Sequence, residues 1–375
     1  MPINSFARLK IGLMRERAIG EQRVALIPAD IKKLNDKATF VVESNAGREA
    51  GFGDNDYLSA GARIADQREL LESSDVLVKI RPPGADEMPG VGRTLISLGG
   101  RDRNTVVALR RRGVIHLALE RIPRTARAQS MDVLSSQASI AGYAAVLEGA
   151  RVLGALLPML TTAAGTIKPA KMIALGAGVA GLQAIATARR LGAVVYGFDV
   201  RAAAREQVES LGARFVSVEA GIGAGESAGG YASEQSREQQ AKLRRGLSTE
   251  LATMQLIVST AQIPGRPAPL LIDRATLGKM TPGSVIVDLA ADTGGNCEAT
   301  RPDETITING VRVMGPTNLP SLVAGDASRF FSSNIRSLLA YLLDEAGQLR
   351  LDPSDPISGA MLEGQITTAA SVAAA

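Results

Sequence analysis

The sequence predicts an α/β protein of two parallel-sheet domains joined by long interdomain helices, and three observations carry that expectation. At 375 residues the chain exceeds the size at which one hydrophobic core stops growing. Short Val- and Ile-rich runs alternate with amphipathic segments, once before residue 120 and again after residue 170. Between the two alternations stands a long helical stretch, from Met131 to about Leu157, interrupted only by Gly142, Gly149 and Gly154.

Taken in order, "LKIGLM" and "RVALI" read as strand-like, "ADIKKLND" as a helix, and "ATFVVES", "DVLVKI" and "TLISLG" as strands. "RNTVVALRRRG" reads as a helix and "VIHLALE" as the strand that closes the first set. The long helix then leaves that domain, with Pro158 expected to end it. The second set runs "KMIALG", a helix from Val179 to Leu191, "AVVYGFDV", a helix from Ala203 to Leu211, "ARFVSV", a polar helix, "LIVSTA" and "SVIVDLA". The segment from Ala327 to Leu343 has apolar residues at helical spacing and needs a surface to pack on. It is expected to return to the first domain as a second interdomain crossing. The domains are accordingly placed at 1–133 plus 327–375, and at 134–326. The tail "TTAASVAAA" is of low complexity.

Composition narrows the function classes. Hydrophobic residues at 45% and charged residues at 21% match a globular enzyme. A net charge of +4 from 42 basic and 38 acidic side chains is too small and too scattered for a nucleic-acid footprint. The single cysteine, Cys297, excludes an internal disulfide framework and a multi-cysteine zinc site, so no metal is expected. The start lacks a long apolar signal region, and the greasy stretch Ala141 to Thr162 carries Glu148, Arg151 and Pro158. A soluble cytoplasmic chain with no membrane span of its own is expected.

"MIALGAGVAGLQAIATARRLGAVVYGFDVR" places Gly176, Gly178 and Gly181 directly after a strand and at the mouth of a helix, with Asp199 closing the next strand 23 residues after Gly176. This is the dinucleotide fingerprint in its proper context. The first glycine permits a tight turn, the second lets backbone approach a pyrophosphate, and the third allows close helix packing; the helix N-terminus supplies amides to phosphate. Asp199 would accept the adenine ribose hydroxyls and repel a 2′-phosphate, which favours NAD(H) over NADP(H), although Arg201 and Arg205 could swing toward a phosphate. Val179, Ala180, Val200, Arg201, Ala261 and Gln262 complete the expected nucleotide-binding set. Both domains are expected to be Rossmann-like.

The stretches "QRVALIPADIKKL", "AGREAGFGDNDYLSAGARI", "RAQSMDVLSSQASIAGYAAVLEGA", "GAGVAGLQAIATARRLGAVVYGFDVR", "IPGRPAPLLI" and "GSVIVDLAADTGGNCE" together resemble the NAD(H)-binding component of proton-translocating nicotinamide nucleotide transhydrogenases, of the Si–Re, AB-specific type. Alanine dehydrogenases are similar but more distant. The resemblance implies a peripheral subunit that is a homodimer and binds NAD(H). It further implies partners, an NADP(H)-binding subunit of the beta type and a membrane-embedded component, at the cytoplasmic face of the inner membrane. Ending at Ala375 without membrane helices fits the arrangement with a separate NAD(H)-binding polypeptide. By the same resemblance Arg124, Gln129, Asp132 and Ser135 form the nicotinamide side, with Gln129 between the two nicotinamides. Tyr231 matches the tyrosine of a mobile loop that closes over nucleotide, where Gln235 departs from the family's methionine. Read without the resemblance, Arg124 is a solvated charge, Gln129 a loop residue, Asp132 and Ser135 a helix cap, and the Tyr231 segment a flexible insertion.

Reducing a ketone or imine requires a proton beside the hydride, whereas transfer between two nicotinamide rings requires only positioning, at roughly 3 to 3.5 Å between reacting atoms. Amides, hydroxyls and one arginine suit the second task. Lys79 in "LVKIRPP" sits where alanine dehydrogenases carry a lysine, but Ser97 stands where their histidine belongs. The only histidine, His116, lies in an apolar strand and reads as a core residue, Cys297 as a small buried residue, and Pro264, Pro267 and Pro269 as rigid loop chemistry. Two rivals stay open: an amino-acid dehydrogenase of the alanine type, and a non-catalytic NAD-sensing protein.

Overall fold

The β-branched runs pair as parallel strands of two sheets in a computed structural model that describes residues 8–218, 237–263 and 265–362. The chain divides into one unit of Met1–Gln137 with Pro320–Ala375 and a second of Ala138–Leu319.

The first sheet contains β1 (Lys10–Leu13), β2 (Thr39–Glu43), β3 (Arg63–Ala65), β4 (Val76–Val78), β5 (Thr94–Ser97) and β6 (Ile115–Ala118) in the order β3-β2-β1-β4-β5-β6, all parallel. Helices α1 (Pro28–Leu34), α2 (Asp54–Ser59), α3 (Gln67–Ser73) and α4 (Arg103–Arg111) make the crossovers. Residues alternate between faces, as a pleated strand requires. Ile11, Leu13, Val76, Val78 and Ile96 enter one core, while Val41, Leu77 and Leu95 enter another with Leu70 of α3 and Leu109 of α4.

Helix α5 (Val133–Val152) carries the chain across the boundary at Gln137. It ends at Val152, five residues before the expected end, because Leu153 closes the last turn onto Gly149 and Ala150 and Gly154 then bends the chain; Pro158 plays no part. Gly142 and Gly149 do not interrupt it. A side chain at Gly142 would lie 2.1 Å from the Ala180 carbonyl oxygen and one at Gly149 2.5 Å from Leu256, so both are contact points.

The second unit opens with a hairpin of β7 (Leu160–Thr162) and β8 (Gly165–Ile167). Its main sheet holds β9 (Lys171–Leu175), β10 (Val194–Phe198), β11 (Arg214–Phe215), β12 (Leu256–Ser259), β13 (Val285–Asp288), β14 (Thr305–Ile308) and β15 (Val311–Met314), ordered β11-β10-β9-β12-β13-β15-β14. Only β14 runs antiparallel, joined to β15 through Asn309 and Gly310 at φ +50° and +78°, the left-handed pair a two-residue hairpin demands. Strands β12 and β13 are buried along their whole length, as parallel strands covered on both faces must be. Ala174, Val258 and Val287 pack toward α6 (Val179–Arg190) and α7 (Ala204–Ser210), and Ile173, Ile257 and Ile286 toward α8 (Arg237–Leu251) and α9 (Arg274–Leu277).

The last helices, α10 (Ala324–Leu342) and α11 (Ser358–Leu362), lie in the first unit. Phe331, Ile335, Leu338, Leu339 and Leu342 of α10 enter its core, so α10 is not a crossing; the return is complete before it starts. Its serines explain why "RVALI" forms no strand. The buried Val24 and Ile27 N–H groups donate to Ser328 Oγ and Ser332 Oγ, each at 2.9 Å, so a helix satisfies the backbone that a neighbouring strand would otherwise pair. Among the described residues no helix is long and apolar enough to cross a membrane.

Candidate active site

In the second sheet the strand order reverses between β9 and β12, and the segments after their C-terminal ends flank the crevice where open α/β sheets take ligands. Gly176 follows β9 at φ +99°, with its N–H on the Phe198 carbonyl at 2.8 Å. A Cβ on Gly176 would stand 2.7 Å from Thr260 Oγ1, and one on Gly181 only 1.8 Å from the Gly176 carbonyl oxygen. The first turn of α6 therefore packs on the glycine turn at a distance only hydrogen permits. Gly178 is exposed with open space about its α-carbon and caps α6 without a side-chain hydrogen bond, so the Val179, Ala180 and Gly181 amides open the helix with no side-chain acceptor of the cap. This geometry fits a pyrophosphate.

Asp199 follows β10 and is 7% exposed. Its Oδ2 accepts the Ala177 N–H at 2.8 Å and Arg201 Nη2 at 2.9 Å; its Oδ1 accepts the Arg201 N–H at 2.9 Å and Arg201 Nε at 3.0 Å. Val200 between them is half-buried.

The segment after β12 is anchored by Asn296, which sequence reasoning missed. The fully buried Asn296 accepts Ser259 Oγ at 2.6 Å and the Ala261 N–H at 3.1 Å on Oδ1, and donates through Nδ2 to the Ala261 and Pro269 carbonyls at 2.8 Å each. Gln262 is exposed and donates to the Leu289 carbonyl at 3.2 Å. Asn296 is itself held by Asp288, whose Oδ2 accepts the Asn296 and Cys297 N–H groups and Thr300 Oγ1. Burial holds the Asp288 carboxyl above its usual range and pushes the Cys297 thiol up to about 11, which leaves that thiol inert. The "GGNCE" motif is thus a brace. Tyr231, Gln235 and Pro264 lie outside the described residues.

The remaining predicted residues lie in the first unit. A 3-10 turn, Ala126–Met131, carries the exposed Gln129, with the exposed Arg124 just before it. Asp132 starts α5: its Oδ1 accepts the Ser135 N–H at 3.0 Å and its Oδ2 accepts Ser135 Oγ at 2.6 Å. The capping role is therefore real, and the pair is half-buried. A polar rack fixes this turn. Asn334 of α10 donates to the Ser130 carbonyl at 2.8 Å and accepts Ser136 Oγ at 2.7 Å; Gln137 donates to the Ala327 carbonyl at 3.0 Å and accepts Arg23 Nη1 at 2.7 Å. Arg23 also forks onto Glu21. Although burial raises that carboxyl, Arg23 and Ser321 hold it down at about 2.

Both candidate proton donors are buried and hydrogen-bonded within the chain. Lys79 is buried, with Nζ donating to the Arg15 carbonyl at 2.8 Å and to Glu87 Oε1 at 2.9 Å, and with Glu16 Oε2 as a longer ion-pair partner at 3.7 Å. Burial pushes Glu16 up to about 7 against the pull of Lys79. His116 lies fully buried with Nε2 3.0 Å from Ser97 Oγ, so the histidine absent from position 97 arrives from the adjacent strand, where burial lowers its pKa and favours the neutral ring. Among the described residues no cluster of His, Cys, Asp or Glu could hold a metal ion.

Comparison with known proteins agrees with this layout. Residues 12–141 match the family described as alanine dehydrogenase/PNT, N-terminal domain, and residues 145–369 match its C-terminal domain. The chain is 44% identical over 349 residues to the first part of the NAD(P) transhydrogenase alpha subunit of Rhodospirillum rubrum, covering 90% of this chain and 91% of that one. The crystal structure of a transhydrogenase from Sinorhizobium meliloti superposes with a TM-score of 0.84 at 39% identity, over 94% of this chain and 97% of that one. An L-alanine dehydrogenase structure follows with a TM-score of 0.74 at 28% identity, over 89% and 90%. The glycine turn, the two reversed-order parallel sheets and these similarities together place the chain in the alanine dehydrogenase/PNT family, on the side of the NAD(P) transhydrogenase alpha subunits.

Proposed function

We propose that this chain is the peripheral NAD(H)-binding subunit of a proton-translocating transhydrogenase of the Si–Re, AB-specific type, passing hydride between NADH held here and NADP+ held on a partner subunit. The observation that carries the reading is the locked state of Lys79 and His116 in the same unit as an exposed loop of amide, hydroxyl and guanidinium groups. A dihydropyridine gives hydride directly to a second pyridinium with no accompanying proton, so the protein's work is to hold two rings in contact.

In this reading the α6 N-terminus takes the pyrophosphate, Asp199 the adenine ribose, and Ala261 and Gln262 line the crevice after β12. Arg124, Asp132 and Ser135 hold the nicotinamide and its carboxamide, and Gln129 stands between the donor and acceptor rings. The partners are an NADP(H)-binding subunit of the beta type and a membrane-embedded component at the cytoplasmic face of the inner membrane. The chain works as a homodimer, and the β7–β8 hairpin supports that. Every residue of both its strands is exposed, including Leu160 and Ile167, and an isolated two-stranded hairpin is marginal in water without a surface to lie on.

Titration of NADH against the purified chain and its Asp199→Ala variant tests the nucleotide assignment. The variant should bind NADH more weakly and discriminate less against NADPH; unchanged affinities for both remove Asp199 from the site. Sedimentation velocity on the same sample should give the mass of a dimer, and a monomer at micromolar concentration refutes that part.

A further inference from the structure

Asp199 has four hydrogen-bonding partners within the chain, and three of them belong to Arg201. An ionised carboxylate offers about four lone-pair sites, so the acceptor set is filled. Two of the partners are backbone N–H groups, of Ala177 in the glycine turn and of Arg201 itself. The other two, Nε and Nη2, form a bidentate fork, the strong arrangement for an arginine on a carboxylate. The side chains are 8% exposed at Asp199 and 18% at Arg201, so the pair is shielded from water, and Arg201 Nη2 also donates to the Ala177 carbonyl at 3.3 Å. A ribose diol that uses Asp199 as acceptor needs sites that only a departing guanidinium can vacate.

We propose that the Arg201 side chain is an internal competitor for Asp199, displaced when nucleotide binds, and that this exchange sets the affinity for NADH and the selectivity against NADPH. The inference rests on the assignment of Asp199 to the adenine ribose. In the closed pair the carboxylate that should repel a 2′-phosphate is neutralised by its own neighbour. Once displaced, the guanidinium is within reach of such a phosphate. Arg201 therefore weakens NADH binding and softens the rejection of NADPH through the same contact.

The experiment is calorimetric titration of NADH and NADPH against the full chain and its Arg201→Ala, Arg201→Lys, Asp199→Ala and doubly substituted variants, with thermal melts confirming that each folds. Arg201→Ala should tighten NADH binding by about fivefold to tenfold, the size of a partly shielded ion pair, while NADPH binds no tighter. Arg201→Lys, which keeps the charge and loses the fork, should fall between. In the Asp199→Ala background, removing Arg201 should give no tightening. If Arg201→Ala weakens NADH binding or leaves it unchanged while Asp199→Ala weakens it, the competition is refuted and the site reading stands. If Asp199→Ala itself has no effect, the site reading fails first. Should Arg201→Ala not fold, tighter NADH binding by Arg201→Lys than by wild type still supports the exchange, and equal or weaker binding overturns it.

Discussion

Replacing Asn296 by alanine removes four hydrogen bonds at one stroke, and the structure says where the cost falls. Ser259 Oγ is fully buried and loses its acceptor. The Ala261 N–H and the Ala261 and Pro269 carbonyls are half-buried and can recruit water. A buried polar group left unpaired costs roughly 1–3 kcal/mol, so one fully stranded hydroxyl and partial losses at the other three sum to about 3 kcal/mol, a factor of roughly 150 in the unfolding equilibrium. Urea denaturation of the two proteins measures that loss. NADH titration then separates stability from positioning, with Leu277→Ala in α9 as a control, because a buried leucine truncation costs a comparable 2–5 kcal/mol without removing a hydrogen bond from the segment after β12. Asn296→Ala should lose NADH affinity and Leu277→Ala should keep it. A stability loss below about 1 kcal/mol would show that water replaces the brace, and equal NADH affinities in the two variants would refute the positioning role.

Gly181→Ala should abolish NADH binding and lower the melting temperature, since its methyl would sit 1.8 Å from the Gly176 carbonyl oxygen and force α6 off the turn; wild-type affinity would refute that packing argument. Glu16→Gln should change the pH profile of stability. The folded-state pKa of Glu16 is raised to about 7 from 4.5, so the native fold prefers the protonated form, and the contribution is full below pH 4.5 and lost as pH rises through about 7. The melting temperature of wild type relative to Glu16→Gln should fall across that window, by an amount on the order of 3 kcal/mol in stability; a difference that rises with pH contradicts the burial argument. Gln129→Asn should slow hydride transfer in the assembled complex far more than it weakens NADH binding, and equal effects would mean that Gln129 only helps hold the nucleotide.

The parallel sheets were legible because buried strands leave nearly continuous apolar runs, as in "LIVS" and "VIVD", and the glycine turn because its three glycines answer separate steric demands. "RVALI" misled because hydrophobic periodicity reports burial and not the partner: its amides bond to serines some 300 positions away. The same distance in sequence hides the braces of the site. Asn296 acts 35 residues from Ala261, Asn334 acts 204 residues from Ser130, and neither has a local pattern to mark it. His116 was legible as a core histidine from its apolar strand, but its contact with Ser97 depends on the register of β5 against β6, which no single-strand pattern specifies. The "NG" turn before β15 was a signal in plain view.

In the proposed function, hydride leaves NADH on this chain only for a second nicotinamide. This is tested most directly by NADH oxidation with the purified protein, supplied in one arm with pyruvate and ammonium and in the other with an NADP+ analogue and a purified NADP(H)-binding transhydrogenase component. Turnover confined to the second arm is the predicted result. Turnover with pyruvate and ammonium alone would contradict the account, because Lys79 or His116 would then have to deliver a proton from positions that this fold closes.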